Sequence, residues 1–197
     1  MRLQIFSDIH NDLAALRRLL EADADYYVAA GDLVSWARGL DACGEVLRAK
    51  AGKVWALPGN HESAEQIAEL CTKFGLRNIH EQLFEEGGRQ FAGLGYSSPT
   101  PFHTPGEFTE AQLAERLNRF AGVEKLILIC HAPPFDTQLD QVKQGLHAGS
   151  RSVREFIDKN QPEYFFCGHI HEGEGRQIRM GATTAVNVGK RGYLLEI

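Results

Sequence analysis

The sequence has no apolar run that approaches the roughly 18 residues of a membrane span, so no transmembrane helix is expected. Its four cysteines, Cys43, Cys71, Cys130 and Cys167, are widely separated and form no Cys-x-x-Cys pair. That pattern argues against a zinc-finger or disulfide framework and reads as the reduced thiols of a cytoplasmic protein. Lys and Arg are scattered and the net charge is −5, so the basic arm or stripe of a dedicated nucleic-acid binder is missing. There is no repeat, low-complexity tract or linker. A strand begins at Leu3, and no signal peptide is expected before it. What remains is 197 residues, 43% hydrophobic and 24% charged. Those values suit one soluble globular domain spanning 1–197 with a good core.

Apolar strands alternate with amphipathic helices through much of the chain. Leu3–Phe6, Tyr26–Ala30, Lys53–Leu57, Leu126–Cys130 and Tyr164–Cys167 read as strands. Leu13, Leu16, Leu19 and Leu20 form the stripe of a first helix, capped by Asn11 or Asp12. A second helix is expected between Ser35 and Lys50. Ser63 and Gln66 form a capping box ahead of Ile67, Leu70 and Phe74. Thr109 and Gly149-Ser150 open two further helices. Strands around the Gly87-Gly88 turn look antiparallel, and 183–188 with 193–197 reads as a hairpin around Gly189–Gly192. The loop 97–106 carries Pro99, Pro101 and Pro105, which stiffen it. Helices mixed with both kinds of strand indicate an α/β sandwich.

The chemistry concentrates where strands end. Five of them run into Asp8 and His10, Asp32, Asn60 and His61, His131, and His169 and His171. The C-terminal ends of strands line the ligand crevice of open α/β sheets, so these groups can converge. Oxygen and imidazole donors without thiolate favour Mn, Fe, Co, Ni or Zn. Eight such groups exceed the needs of one ion. Two ions about 3.5–4 Å apart are the usual apparatus of phosphate-ester hydrolysis.

The ordered set Asp8-x-His10, Gly31-Asp32, Gly59-Asn60-His61-Glu62, His131 and Gly168-His169-x-His171 resembles the calcineurin-like metallophosphoesterase superfamily, over nearly the whole chain. The resemblance implies a four-layer α/β/β/α sandwich with two mixed sheets. It implies two divalent metal ions, manganese first and Fe, Zn, Ni or Co as alternatives. One would be held by Asp8, His10, Asp32 and His171, the other by Asp32, Asn60, His131 and His169, with Asp32 bridging. His61 would stand uncoordinated beside the scissile phosphate and assist the leaving group as a hydroxide bridging the metals attacks phosphorus. Asn60 would give its amide oxygen to a metal, and its nitrogen could touch the phosphate.

Protein Ser/Thr phosphatases resemble the chain at Gly59–Glu62, but they carry an Asp-Arg-Gly sequence where this chain has Leu33-Val34-Ser35-Trp36-Ala37-Arg38-Gly39. The closing His-x-His looks like the cyclic-nucleotide-phosphodiesterase-like and small-phosphoesterase branches. A small phosphate-ester substrate is therefore expected, a diester ahead of a monoester. A nuclease and a non-catalytic protein-binding scaffold of the same fold are the rival readings. Among the other candidates, Glu62 reads as a first-turn acid, with a supporting role behind the metal ligands as the alternative, and His80 as an exposed side chain. Arg38 and His103 are possible substrate contacts, and His147 orders its loop or binds an anion.

Overall fold

The computed structural model describes residues 1–197. The first sheet takes β1 (Arg2–Phe6), β2 (Tyr26–Ala30), β3 (Val54–Leu57) and β4 (Arg77–Asn78), all parallel, with β13 (Tyr193–Glu196) antiparallel along β1. The second sheet is built on four parallel strands, β6 (Arg89–Leu94), β7 (Leu126–Cys130), β10 (Tyr164–Cys167) and β12 (Thr183–Asn187). Its edges are antiparallel: β5 (Gln82–Glu86) beside β6 and β11 (Gln177–Met180) beside β12. A separate hairpin pairs β8 (Gln141–Lys143) with β9 (Leu146–His147).

Strand alternation assigns each side chain to a layer. On β1 and β2, Leu3, Ile5, Val28 and Ala30 face the second sheet, where they meet Phe91, Ile127, Ile129 and Phe166 in one core cluster. The opposite faces, with Phe6, Tyr27 and Ala29, pack under α1 (Leu13–Leu19), α2 (Leu40–Leu47) and α3 (Ala64–Phe74). Leu126, Leu128, Phe165 and Cys167 turn the other way, under α4 (Glu110–Asn118) and α5 (Arg151–Asn160). The result is the α/β/β/α sandwich with two mixed sheets. Asp12 caps α1 by accepting the Ala15 N–H at 2.9 Å, and complete capping boxes open α3 and α4. No helix is long and apolar enough to cross a membrane.

One expectation fails here. Residues 183–188 and 193–197 do not form a hairpin: β12 pairs with β10 and β11, whereas β13 crosses to the other sheet and pairs with β1. Gly189–Arg191 is a 3-10 turn that carries the chain between sheets. The hairpin is β11–β12, around Gly181-Ala182, where Gly181 has φ of 61°.

Candidate metal centre and its cavity

Asp8, Asp32, Asn60, His131 and His169 all follow the C-terminal ends of parallel strands, and the two sheets aim them at one another. Backbone bonds tie the strand ends together. The Asp8 N–H donates to Gly31 O at 3.1 Å, His10 N–H to Asp32 O at 3.0 Å and Gly168 N–H to His131 O at 3.1 Å. Turning so sharply forces left-handed backbone at Asp8 (φ 56°), His10 (47°), Asp32 (52°) and His169 (69°). Asp and His tolerate that region better than most residues, yet each such turn costs about 1–3 kcal/mol and survives because its surroundings hold it. Two glycines permit the close approach. A Cβ on Gly59 would fall on Asp32 Oδ1, and one on Gly168 would fall on Ser7 Oγ and Asp8 Oδ2.

The predicted residues form groups that share members. Ligand atoms of Asp8, His10 and His171 lie within 4.8 Å of one another, as do those of Asp32, His131 and His169. A third group, His10, Asp32 and His61, meets the same limit, so Asp32 belongs to two. Asn60 Oδ1 is 3.1 Å from His131 Nε2 and 2.8 Å from His169 Nδ1. His131 Nε2 is also 3.3 Å from Asp32 Oδ2, and His10 Nε2 is 3.1 Å from His171 Nε2.

Partners behind these atoms fix which way they point. His131 Nδ1 donates to Ala30 O at 2.9 Å, which turns Nε2 inward. His10 Nδ1 meets Ser35 Oγ at 3.2 Å. Asp8 accepts the His169 N–H, and Asp32 Oδ1 accepts the His61 N–H at 2.9 Å. The Trp36 N–H donates to His61 Nδ1 at 3.1 Å, so in neutral His61 the proton sits on Nε2.

Burial, against the pull of Asp32, holds the His10 pKa down at about 4, and burial with the nearby His131 charge holds His169 at about 3. Both are neutral donors at pH 7. Burial opposes a charge on His131 too, but the Asp32 and Asp8 carboxylates outweigh it and raise that group to about 9. Burial raises Asp8, whereas the imidazoles around Asp32 outweigh its burial and hold it below the usual carboxylate range. Two buried carboxylates thus draw positive charge onto His131 and into a nest that also holds the neutral nitrogens of His10 and His169, with no Lys or Arg on the cavity walls. A donor set of oxygen and imidazole, already facing inward, fits divalent cations.

His10, Asp32, Asn60, His61, His169 and His171 form the floor of a cavity of about 640 Å³, with Asp8 and His131 behind them. Its rim comes from Ser98–Phe102 on one side and from Val142, Leu146 and Ala148 on the other.

Several sequence expectations are corrected. Glu62 precedes α3 and its cap, and it is fully buried. Its carboxylate accepts N–H bonds from Asp32 (3.1 Å), Val34 (2.9 Å) and Gly59 (2.8 Å), stapling two site loops together. Burial and the Asp32 charge push its pKa up to about 8. His80 is not exposed: its side chain is 8% accessible and its Nδ1 accepts the Gly95 N–H at 3.0 Å. Asn60 Nδ2 spends one of its two N–H groups on Thr104 Oγ1 at 3.1 Å. Arg38 and His103 are exposed and line no part of the cavity. His147 orders its loop, with Nδ1 2.7 Å from the buried Asp140 carboxylate. Thr104, Ser35 and the Trp36 N–H were invisible in the sequence, since a supporting hydrogen bond leaves no spacing pattern.

A four-layer sandwich with His and Asp gathered at its strand ends defines a class of metal-dependent phosphoesterase. The model of the calcineurin-like phosphoesterase family matches residues 1–173, and the chain belongs to that family, whose members are hydrolases acting on phosphoesters. It is 31% identical over 201 residues to the uncharacterized protein MJ1162 of Methanocaldococcus jannaschii, covering 99% of this chain and 91% of that one. The protein TT1561 of Thermus thermophilus has a similar fold, with a TM-score of 0.72 at 19% identity over 95% of this chain and 88% of that one. The phosphopantetheinyl hydrolase of Mycobacterium tuberculosis gives 0.66 at 17% identity, over 95% and 88%. A novel archaeal phosphodiesterase gives 0.55 at 14% identity, over 96% and 84%. The family and the Asp/His groups together point to divalent metal binding.

Proposed function

We propose that residues 1–197 form one domain, a cytoplasmic dinuclear metal-dependent phosphoesterase that hydrolyses small phosphodiesters ahead of monoesters. The observation that carries this is that the groups Asp8–His10–His171 and Asp32–His131–His169 are joined by a third, His10–Asp32–His61, beneath the cavity. Asp8, His10, Asp32 and His171 would hold one ion, and Asp32, Asn60, His131 and His169 the other. Manganese is the first choice, with Fe, Zn, Ni and Co sharing the same donor preference. Bound there, the ions would offset charge on the phosphoryl oxygens and lower the pKa of an attacking water to about 7.

The chain's own residues do the rest. Asp32 would serve both ions and supply the negative charge that both positions face. Asn60 supplies a neutral oxygen, oriented by Thr104. His61 holds its proton on Nε2 because Trp36 occupies Nδ1, so it offers a hydrogen to the leaving oxygen instead of a lone pair to a metal. General acid help of this kind is typically worth about 10²–10⁴-fold. The preference for diesters rests on the His-x-His branch that the chain resembles. The wall without Lys or Arg speaks against a nuclease, which needs a basic track for the backbone. The full donor set speaks against the protein-binding scaffold.

The test is hydrolysis of bis(p-nitrophenyl) phosphate by protein stripped with chelator and titrated with Mn²⁺. Turnover that saturates near two ions per chain is expected. If Mn²⁺, Zn²⁺, Ni²⁺ and Co²⁺ all fail to bind or to restore turnover, the reading falls and the scaffold remains.

A further inference from the structure

Two rigid walls stand over the ligand groups, and each presents an exposed apolar side chain. Phe102 is 69% exposed and Leu146 45%, and both line the same cavity. Neither sits on a loose loop. In the first wall, Glu107 Oε1 accepts Thr100 Oγ1 at 2.7 Å and the Thr104 N–H at 2.8 Å, while Gly106 N–H donates to Asn60 O at 2.9 Å. In the second, buried Asp140 accepts Thr137 N–H and Gly149 N–H, each at 2.9 Å, and meets His147 Nδ1. A carboxylate braces each wall, half-buried Glu107 in the first and buried Asp140 in the second, so Phe102 and Leu146 are held out in water. Pro99, Pro101, Val142 and Ile170 extend the apolar surface down toward the floor.

Charge narrows the occupant further. The lining has no Lys or Arg, and its one acid besides Asp32 is Glu172. A phosphate can be neutralised at the floor, but a second anionic group higher in the cavity would find no cation and one repelling carboxylate. A volume of about 640 Å³ leaves room well beyond one phosphate and falls in the range of small-molecule sites, about 300–1,000 Å³.

We infer that, given the phosphoesterase reading on which this rests, the substrate carries a single phosphate esterified to an uncharged apolar arm, aryl or alkyl, that lies between Phe102 and Leu146. Polyphosphates, sugar diphosphates and nucleic-acid backbones are the wrong chemistry for this cavity. Phe102 and Leu146 set specificity and take no part in bond breaking.

The experiment reads binding without turnover. Affinities of Zn²⁺-loaded protein for methylphosphonate, 4-fluorobenzylphosphonate and 3-phosphonopropionate are measured by ¹⁹F NMR, directly for the fluorinated ligand and by its displacement for the others. The benzyl arm should tighten binding at least about tenfold over methyl, consistent with burying one aromatic ring. The carboxylate arm should bind no better than methyl. The double variant F102S/L146S should reduce the benzyl advantage to less than about threefold while methylphosphonate affinity stays unchanged; both residues are exposed, so the fold is retained. Equal affinity for methyl and benzyl, or a carboxylate arm that binds as tightly as benzyl, overturns the inference. The two readings fail separately. A retained benzyl advantage with no metal-dependent hydrolysis sinks the hydrolase and leaves the arm site. Hydrolysis of bis(p-nitrophenyl) phosphate without any benzyl advantage does the reverse.

Discussion

The floor of the cavity and its rim are built on opposite plans. The floor is polar, sits on strand ends from both sheets, and holds four non-glycine residues in left-handed backbone. The rim is mostly apolar, comes from the 97–106 loop and the β8–β9 hairpin with Ala148 just beyond it, and supplies no strand to either large sheet. Strand ends are fixed by the ladder on both sides, so they can hold donors to within the tolerance a metal needs. Loops braced from beneath can vary in what they display without disturbing that geometry. The difference separates reaction from selection: the floor decides what bond is broken, and the rim decides what is attached to it.

Breaking the floor should have the largest effect. Asp32→Asn keeps the shape but removes the charge that His131 and His10 face at 3.3 and 3.8 Å. Turnover of bis(p-nitrophenyl) phosphate should fall by about 10³-fold or more, the scale of losing a key electrostatic group. Metal content, read by elemental analysis, should drop below two per chain. Full turnover in Asp32→Asn would remove Asp32 from the centre of the site.

A smaller effect is expected where floor and rim join. Thr104 belongs to the rim loop and is buried, yet its Oγ1 accepts from Asn60 Nδ2 and donates to Glu107. That chain of bonds decides which end of the Asn60 amide faces His131 and His169. Thr104→Val keeps the volume and removes the acceptor, leaving a buried N–H unpaired. Metal affinity measured by calorimetry should weaken about 10–100-fold, as for other residues that orient a ligand. Thr104→Ser should restore most of it. Equal losses in both variants would mean that Thr104 acts by packing alone.

The contrast between floor and rim also explains what the sequence disclosed. A ligand at a strand end follows its strand by one to three residues, so Asp8, Asp32, Asn60, His131 and His169 announce themselves locally. Sheet alternation and helix stripes were equally legible, because burial imposes their periods. The rim gave no such signal. β8 and β9 are three and two residues long, and their geometry depends on Asp140 and His147, whose meeting is tertiary. Glu62 looked like a helix-terminal acid because sequence cannot tell an N–H at its own helix from three N–H groups on neighbouring loops. The segment around Gly189–Gly192 has hairpin composition, but the inter-sheet core draws β13 across to β1, and long-range packing overrides turn chemistry.

His80 tests the root of the rim. Its ring lies 5.4 Å from that of Tyr96 and 6.4 Å from that of Phe108, where the 97–106 loop leaves and rejoins the core. Burial lowers its pKa from 6.5 to about 4. The folded value lies below the unfolded one, so His80 favours folding fully above pH 6.5, and that contribution is lost as pH falls toward 4. The loss is on the order of 3 kcal/mol at about 1.4 kcal/mol per unit. His80→Gln, whose amide oxygen can still accept the Gly95 N–H, should flatten this part of the acid limb in a series of denaturant melts from pH 7 to 4. Identical acid limbs in the two proteins would place the pH dependence elsewhere.

The smallest effects should come from residues that composition singles out but the cavity ignores. Arg38 has the side chain best suited to grip a phosphate. Arg38 is exposed, and the structure uses its backbone: the carbonyl accepts Asn11 Nδ2 at 2.8 Å and the N–H donates to Ser35 O at 3.2 Å. His103 sits one residue beyond Phe102 with φ of 52° and faces away from the cavity that Phe102 lines. Arg38→Ala and His103→Ala should each change kcat/KM for bis(p-nitrophenyl) phosphate by less than about twofold, the usual range for surface substitutions that break no contact. A tenfold loss at either position, with metal content unchanged, would show that the rim extends farther than its apolar walls. It would also bring a guanidinium or imidazolium to a substrate whose cavity has no Lys or Arg on its walls.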